Sequence, residues 1–216
     1  MDTSKYMLLF TIGPVQSFIA QARKTQDLYA GSQILSTLIN FAIAQLPKES
    51  NLIFPHKDIE SKPNRLLAIV TTDDMQTLGN DLKTAVEEHL IDTISSQVVG
   101  LLPEKPSPNQ AEKQLRDFLK IYWTAIPLED GWENNYAPKV QEVEKLMGAV
   151  KNVRYFNQFA EKGRKCSVNG EYNVLFYRKT NKDKDKVSNP KKTWKERKFL
   201  FDENIQFFNP KPKNSK

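Results

Sequence analysis

The sequence predicts an α+β fold of the ferredoxin-like kind: a β-α-β-β-α-β core with an extra helix and a basic C-terminal appendage. Three observations lead there. Tyr6 to Ile12 is a short, unbroken apolar run closed by Gly13-Pro14, the mark of a buried strand. Apolar residues then recur at helical spacing as far as Pro47, and two strand candidates follow, Asn51 to Pro55 and Leu66 to Thr72. A long amphipathic stretch from about Met75 to Val99 comes next, and after a proline-rich loop one more strand, Leu119 to Ile126.

Each element has a local reason. Pro14 suits the first helical position, where its missing N–H costs nothing, and Val15, Phe18, Ile19 and Ala22 carry on at helical spacing. A second stripe, Ile34, Leu35, Leu38, Ile39, Ala42 and Ile43, follows Gly31-Ser32. The region is therefore either two helices, with Ser32 as a new N-cap, or one helix bent at Ala30-Gly31-Ser32. Asp73 or Asp74 can cap the helix whose buried face is Leu78, Leu82, Val86, Leu90 and Ile94. The segment LLPEKPSPNQ is a loop, and a short helix near Gln110–Phe118 leads into the last strand. A further helix from about Tyr136 to Phe159 carries Val140, Val143, Leu146, Val150 and Val153 on one side. Beyond Gly163 the regularity fails, with a strand candidate at Val174 to Tyr177 and a polar TNKDKDKVSNPKK run. The expected organisation is a ferredoxin-like domain over 1–162 and an appendage over 163–216.

The net charge of +6 hides an asymmetry. Residues 1–150 hold 14 Lys+Arg against 19 Asp+Glu, whereas residues 151–216 hold 18 against 7. Such a block is either a solvated tail or a contact for a phosphate backbone. Aromatic residues interleave with it (Phe176, Tyr177, Trp194, Phe199), so it is not a plain lysine tail. The opening MDTSKYMLLFTIGPVQ lacks a basic leader region, and no stretch approaches the ~18 apolar residues of a membrane span. The single cysteine, Cys166, cannot form an intramolecular disulfide, which fits a reducing, cytoplasmic setting.

Four segments carry a resemblance. TIGPVQSFIAQARKTQDLYAGSQILS, Thr11 to Ser36, closely resembles the N-terminal signature of the Cmr-type large subunit of type III CRISPR–Cas RNA-guided effectors, approximately GPVQxFIxxARKTxDLWxGSxLLS. Tyr29 stands where Trp is usual in that family. KPNRLLAIV (Lys62–Val70) resembles the family's PNRF strand, with Leu66 for Phe, and KNVRYFNQF (Lys151–Phe159) its K-x-x-R-x-F helix end. GRKCSVNGE (Gly163–Glu171) resembles the opening of its zinc knuckle, K-C-S-x-C-G.

The resemblance implies a palm like those of nucleotidyl cyclases and polymerases. Full-length members bind ATP between two palms and make cyclic oligoadenylate-type messengers when target RNA is bound. Their metal-binding Gly-Gly-Asp-Asp turn lies in the second palm. This sequence contains no GGDD, and Asp73-Asp74 follows Thr71-Thr72 where glycines would stand, so it reads as a helix cap. The family's His-Asp nuclease, when present, precedes the GPVQ segment; only about a dozen residues do so here, so the nuclease is expected to be absent. The chain would then be a first palm that does not catalyse alone. It would take ATP and Mg²⁺ only in a complete two-palm assembly, with a GGDD-bearing second palm, other effector subunits and guide or target RNA as partners.

Candidate site residues follow from both arguments. A strand–Gly13–Pro14–helix turn directs free N–H groups and a positive helix end at whatever lies above it. This makes Gly13, Gln16 and Ser17, with Gly31 and Ser32, candidates for nucleotide binding; the alternative is a tight turn packed on the second palm. Arg23 and Asp27 have the spacing of a helix-surface ion pair. On the resemblance, Arg23, Lys24 and Asp27 contact the second palm or the nucleotide. The basic block supplies candidate RNA contacts, Arg164, Lys165, Arg178 and Lys179. Zinc is not expected, because Asn169 occupies the second knuckle position and no later CxxC exists. The Asn169-Gly170 pair still suits a hairpin turn. No P-loop is present, and His56 and His89 are too isolated to build a nucleophilic triad. Two other readings remain at this level: half of a split cyclic-oligonucleotide synthase active only in trans, and a stand-alone RNA-binding protein.

Overall fold

The computed structural model describes residues 4–16, 20–22, 24–96, 108–153, 165 and 170–173. The elements in chain order are β1 (Ser4–Gly13), α1 (Thr25–Ala44), β2 (Asn51–Phe54), β3 (Arg65–Thr72), α2 (Met75–His89), α3 (Pro108–Phe118), β4 (Lys120–Leu128) and α4 (Tyr136–Asn152). A π-helical turn, Leu90–Ser95, continues α2, and a 3-10 turn, Trp132–Asn135, leads into α4. The chain divides into two compact units, Met1–Ser96 with Leu115–Asn157, and Gln97–Gln114 with Gln158–Lys216.

The first unit is built on one antiparallel sheet of order β2-β3-β1-β4. With the helices between strands, this is the ferredoxin-like α+β core that the element order predicts. Side chains alternate across β1, so Leu8, Phe10 and Ile12 point one way and Met7 and Leu9 the other. The first set joins a buried cluster with Leu35, Leu38, Ile39 and Ala42 of α1 and Leu82 and Val86 of α2. The second set packs with Leu67, Ile69 and Ile126 beneath Val143 and Met147 of α4. The extra helix therefore covers the face opposite α1 and α2. Burial on both faces is why β1 and β3 read as unbroken apolar runs rather than alternating ones.

Several local expectations change. Pro14 and Val15 are not helical, and the Gly13–Pro14 peptide bond is cis, so Pro14 is not the first residue of a helix. α1 runs unbroken through a buried Gly31, which removes a break there and Ser32 as an N-cap. The cap is Lys24, in extended conformation and with no side-chain capping bond. α4 ends at Asn152; the remainder of the expected helix, to Phe159, falls on residues outside those described, as do Gln97 to Val99 and the strand candidate Val174–Tyr177. Asp74, rather than Asp73, caps α2: its Oδ1 accepts from the Thr77 N–H at 3.0 Å and its Oδ2 from the Thr77 hydroxyl at 2.5 Å.

α2 lies very close to the sheet because Gly79 has no side chain. A Cβ there would come within 2.4 Å of the Trp123 ring of β4. In the second unit, Lys165 and Asn173 form an antiparallel bridge, and Gly170 between them has φ +69°. A positive φ there is what the Asn169-Gly170 hairpin signal requires.

Candidate functional site

One end of the sheet collects residues from three of the four segments that sequence reading singles out. β1 ends at Gly13, which pairs with Lys120, the first residue of β4, while Thr11 pairs with Arg65, the first residue of β3. The Ile12 N–H donates to the Asn64 carbonyl at 2.8 Å, and the Asn64 side-chain amide donates back to the Ile12 carbonyl at 2.8 Å. Asn64 therefore continues the β1–β3 ladder one step past the strand and fixes the approach to Gly13. Lys151, at the C-terminal end of α4, reaches the same place and donates to the Thr11 hydroxyl at 3.5 Å. Thr11 and Gly13, Lys62 to Arg65, and Lys151 thus belong to one structural corner although they lie far apart in the chain.

Much of this corner is scaffold. Lys62 is buried, its backbone N–H donates to the Ser36 hydroxyl at 2.8 Å, and its ammonium donates to the carbonyls of His56 at 3.1 Å, Lys57 at 2.7 Å and Ile59. An ammonium presents three donors on a compact charge, which suits three converging carbonyls. The lysine therefore holds the loop that delivers Asn64 to Ile12. Sequence reading missed Ser36, Lys62 and Asn64 as a group, since nothing in their spacing shows that they meet.

The candidate nucleotide residues differ in their burial. A Cβ added to Gly13 would have as its nearest neighbour among the described residues the Lys120 carbonyl oxygen, 3.8 Å away, so there is room for a side chain there. Gln16 and Ser32 are exposed, and Gly31 is buried inside α1. Lys24 to Ala30 are exposed along the first turns of α1, with Asp27 in the first turn, where a carboxylate complements the helix dipole. The same turns expose Leu28 and Tyr29, the latter 67% accessible, an apolar pair that the sequence reading did not single out. Ser17, Arg23, Cys166, Arg164, Arg178 and Lys179 lie outside the described residues. Lys165, in the second unit, donates from its ammonium to the Glu171 carbonyl at 2.8 Å.

The one acidic pair with a metal-turn flavour is elsewhere. Thr72 pairs with Ser4, at the other end of β1, so Asp73 and Asp74 stand about 30 Å from Gly13 at the ordinary rise of a strand. Asp74 is engaged with Thr77, and those hydrogen bonds hold its carboxyl below the usual carboxylate range. Among the described residues no group of three potential metal ligands comes together.

The profile of the family described as CRISPR-associated protein Cmr2, N-terminal, matches residues 7–126. The chain belongs to that family. The matched span is the sheet itself: Met7 on β1 and Ile126 on β4, its first and last residues, are register partners. It takes in α1, α2 and the whole Asn64–Ile12 junction. Membership makes the chain a Cmr2-type subunit of a type III CRISPR effector and implies association with other subunits of such an effector. No curated protein gives a significant match. No described helix is long and apolar enough to cross a membrane.

Proposed function

We propose that this Cmr2-type chain serves as a palm-like wall of a nucleotide cleft, with the Gly13 corner facing ATP and a second, GGDD-bearing palm supplying the metal-binding carboxylates. The observation that supports this reading is the space beside Gly13 at a strand end held in place by the reciprocal Asn64–Ile12 bonds. A strand end with no side chain in the way lets phosphate oxygens approach backbone donors. Gly13, Gln16, Ser17, Gly31 and Ser32 line the nucleotide side on this reading, and Arg23, Lys24 and Asp27 contact the second palm or the nucleotide. The exposed Leu28 and Tyr29 favour a protein neighbour along the first turns of α1. The chain alone does not turn over ATP, because two-metal chemistry needs clustered carboxylates.

The test is ATP affinity of the assembly reconstituted with a GGDD-bearing chain. Gly13→Val should weaken it, whereas Gly13→Ala, whose added carbon meets no atom closer than 3.8 Å, should leave folding intact. Ser32→Ala should cost about 0.5–1.5 kcal/mol of binding if its hydroxyl bonds the ligand. Unchanged affinity in Gly13→Val and Ser32→Ala, with unchanged melting, would sink the reading and leave the corner as a packing turn. The same reconstitution reports whether messenger synthesis appears in trans.

The excess of 18 basic over 7 acidic residues in 151–216 favours an additional contact with guide or target RNA. Arg164, Lys165, Arg178 and Lys179 are the proposed contacts.

A further inference from the structure

On the α4 face of the same corner, three charged side chains and a hydroxyl form a cluster that the nucleotide reading does not use. Thr11 and Arg65 are register partners on neighbouring strands, and Glu144 and Lys151 come down from α4 above them. The Arg65 guanidinium pairs with the Glu144 carboxylate, and the Phe54 ring lies 5.9 Å from its central carbon. Lys151 donates to Thr11 Oγ1 at 3.5 Å, a contact in which the hydroxyl accepts and keeps its own O–H as a donor. Two cations therefore share one carboxylate. Burial first, and the Arg65 charge second, hold the Lys151 ammonium below the usual lysine range, while Glu144 opposes them. The Arg65 Nε–H is shielded from water and has no acceptor among the described residues. The Arg65 side chain nevertheless remains 42% accessible, so its outer edge can be reached from solvent.

Such a group is under-neutralised and pre-oriented. Glu144 and Phe54 fix the guanidinium plane, and Thr11, itself buried, fixes the ammonium. A planar fork, a point charge and a hydroxyl donor side by side match a tetrahedral anion with several acceptor oxygens. We propose that Arg65, Lys151 and Thr11 form a phosphate-binding site on the α4 face of the sheet, and that Glu144 occupies the guanidinium edge until a phosphate group displaces it. The phosphate belongs to a nucleotide or to the backbone of a bound RNA; the recognition chemistry is the same. The proposal does not rest on the nucleotide reading of Gly13 and Ser32.

The test titrates the full chain with inorganic phosphate, ATP and a short oligouridylate at fixed ionic strength. Lys151→Gln and Arg65→Gln should each weaken binding roughly tenfold or more, the scale of a lost charged hydrogen bond. Glu144→Gln should act in the opposite direction and tighten it about threefold or more, because it removes a competing negative charge. Lys48→Gln and Glu129→Gln, the same charge changes made at exposed positions in connecting loops, control for net charge. A Lys151 effect seen only with RNA assigns the site to backbone phosphate, and one seen only with ATP to a nucleotide; either supports the proposal. Binding by Lys151→Gln that matches Lys48→Gln overturns it, as does Glu144→Gln binding no tighter than Glu129→Gln. Lys151 is exposed in the last turn of α4, so its variant keeps the fold, and melting of Arg65→Gln checks the other. Loss of ATP binding in Ser32→Ala with Lys151→Gln silent would uphold the nucleotide reading and remove this one.

Discussion

Lys62 and Asp74 show how single side chains set the two ends of the sheet. Lys62 is a buried cation whose partners are backbone carbonyls rather than a carboxylate, so its removal takes three charge-assisted donors from the loop 56–59. Lys62→Met keeps the stem and deletes the donors; it should destabilise the chain by about 1–3 kcal/mol in chemical denaturation. It should also loosen the Asn64–Ile12 junction, visible as faster amide exchange at Ile12. Unchanged stability and exchange would mean that the loop holds without its lysine. Asp74 acts through its charge. Its carboxyl is held below the ordinary value of 3.8 by the Thr77 bonds, so its folded pKa is depressed relative to the unfolded chain. The cap's contribution is therefore fully present above that value and is lost as pH falls through the folded one. Asp74→Asn, which cannot titrate, should flatten the acid limb of a melting-temperature profile below that range while changing little at neutral pH. An acid limb identical to wild type would show that the cap does not contribute to it.

At the scale of elements, the closeness of α2 to the sheet is the feature most exposed to test. Gly79→Ala has two opposed effects. Alanine favours a helix over glycine by about 1 kcal/mol. Against that, its Cβ would sit 2.4 Å from the Trp123 ring, where real contacts do not occur. Overpacking of this kind costs about 1–3 kcal/mol, so the variant should melt lower. Trp123→Leu in the same chain should recover part of the loss by making room, a coupling that a double-mutant cycle reads directly. Additive effects would show that the helix simply shifts. α1 teaches the complementary lesson, for its glycine interrupts nothing. Gly31 is buried within a continuous helix, so the apolar stripe from Ile34 onward and the exposed turns before it belong to one element.

For the whole molecule, charge is distributed by segment, and the proposed RNA contact rests on this. Residues 151–216 hold the basic excess, while residues 1–150 are net acidic. Binding to a single-stranded RNA should therefore weaken steeply with salt. Replacing Arg164, Lys165, Arg178 and Lys179 together by Gln should lower the log–log salt slope by about 3 if all four neutralise phosphates, at ~0.7 per contact. A slope unchanged within error would place the RNA contacts elsewhere. The purified chain should show no metal-dependent ATP turnover, since Asp73-Asp74 stands at the end of the sheet away from Gly13 and serves as a cap. Turnover abolished by a point change within the chain would refute this.

The amino-acid sequence by itself determined the α+β class, the strand and helix order and most element boundaries, because these depend on local periodicity and on Gly, Pro and Asp punctuation. It also determined the family, since two of its four signatures, Thr11–Ser36 and Lys62–Val70, sit in the span that the family profile matches. A cap at Asp73 or Asp74 was legible because capping is a contact between near neighbours, and the structure selects Asp74. What only the tertiary structure decided are meetings between distant segments: Ser36 with Lys62, Asn64 with Ile12, and Lys151 with Thr11. It also decided that α4 covers the second face of the sheet. Helical spacing says which side of a helix is apolar but not which sheet face receives it. A hydrogen bond between residues far apart in the chain leaves no periodic trace at either position, because each residue type there is equally compatible with solvent until the fold brings its partner within reach.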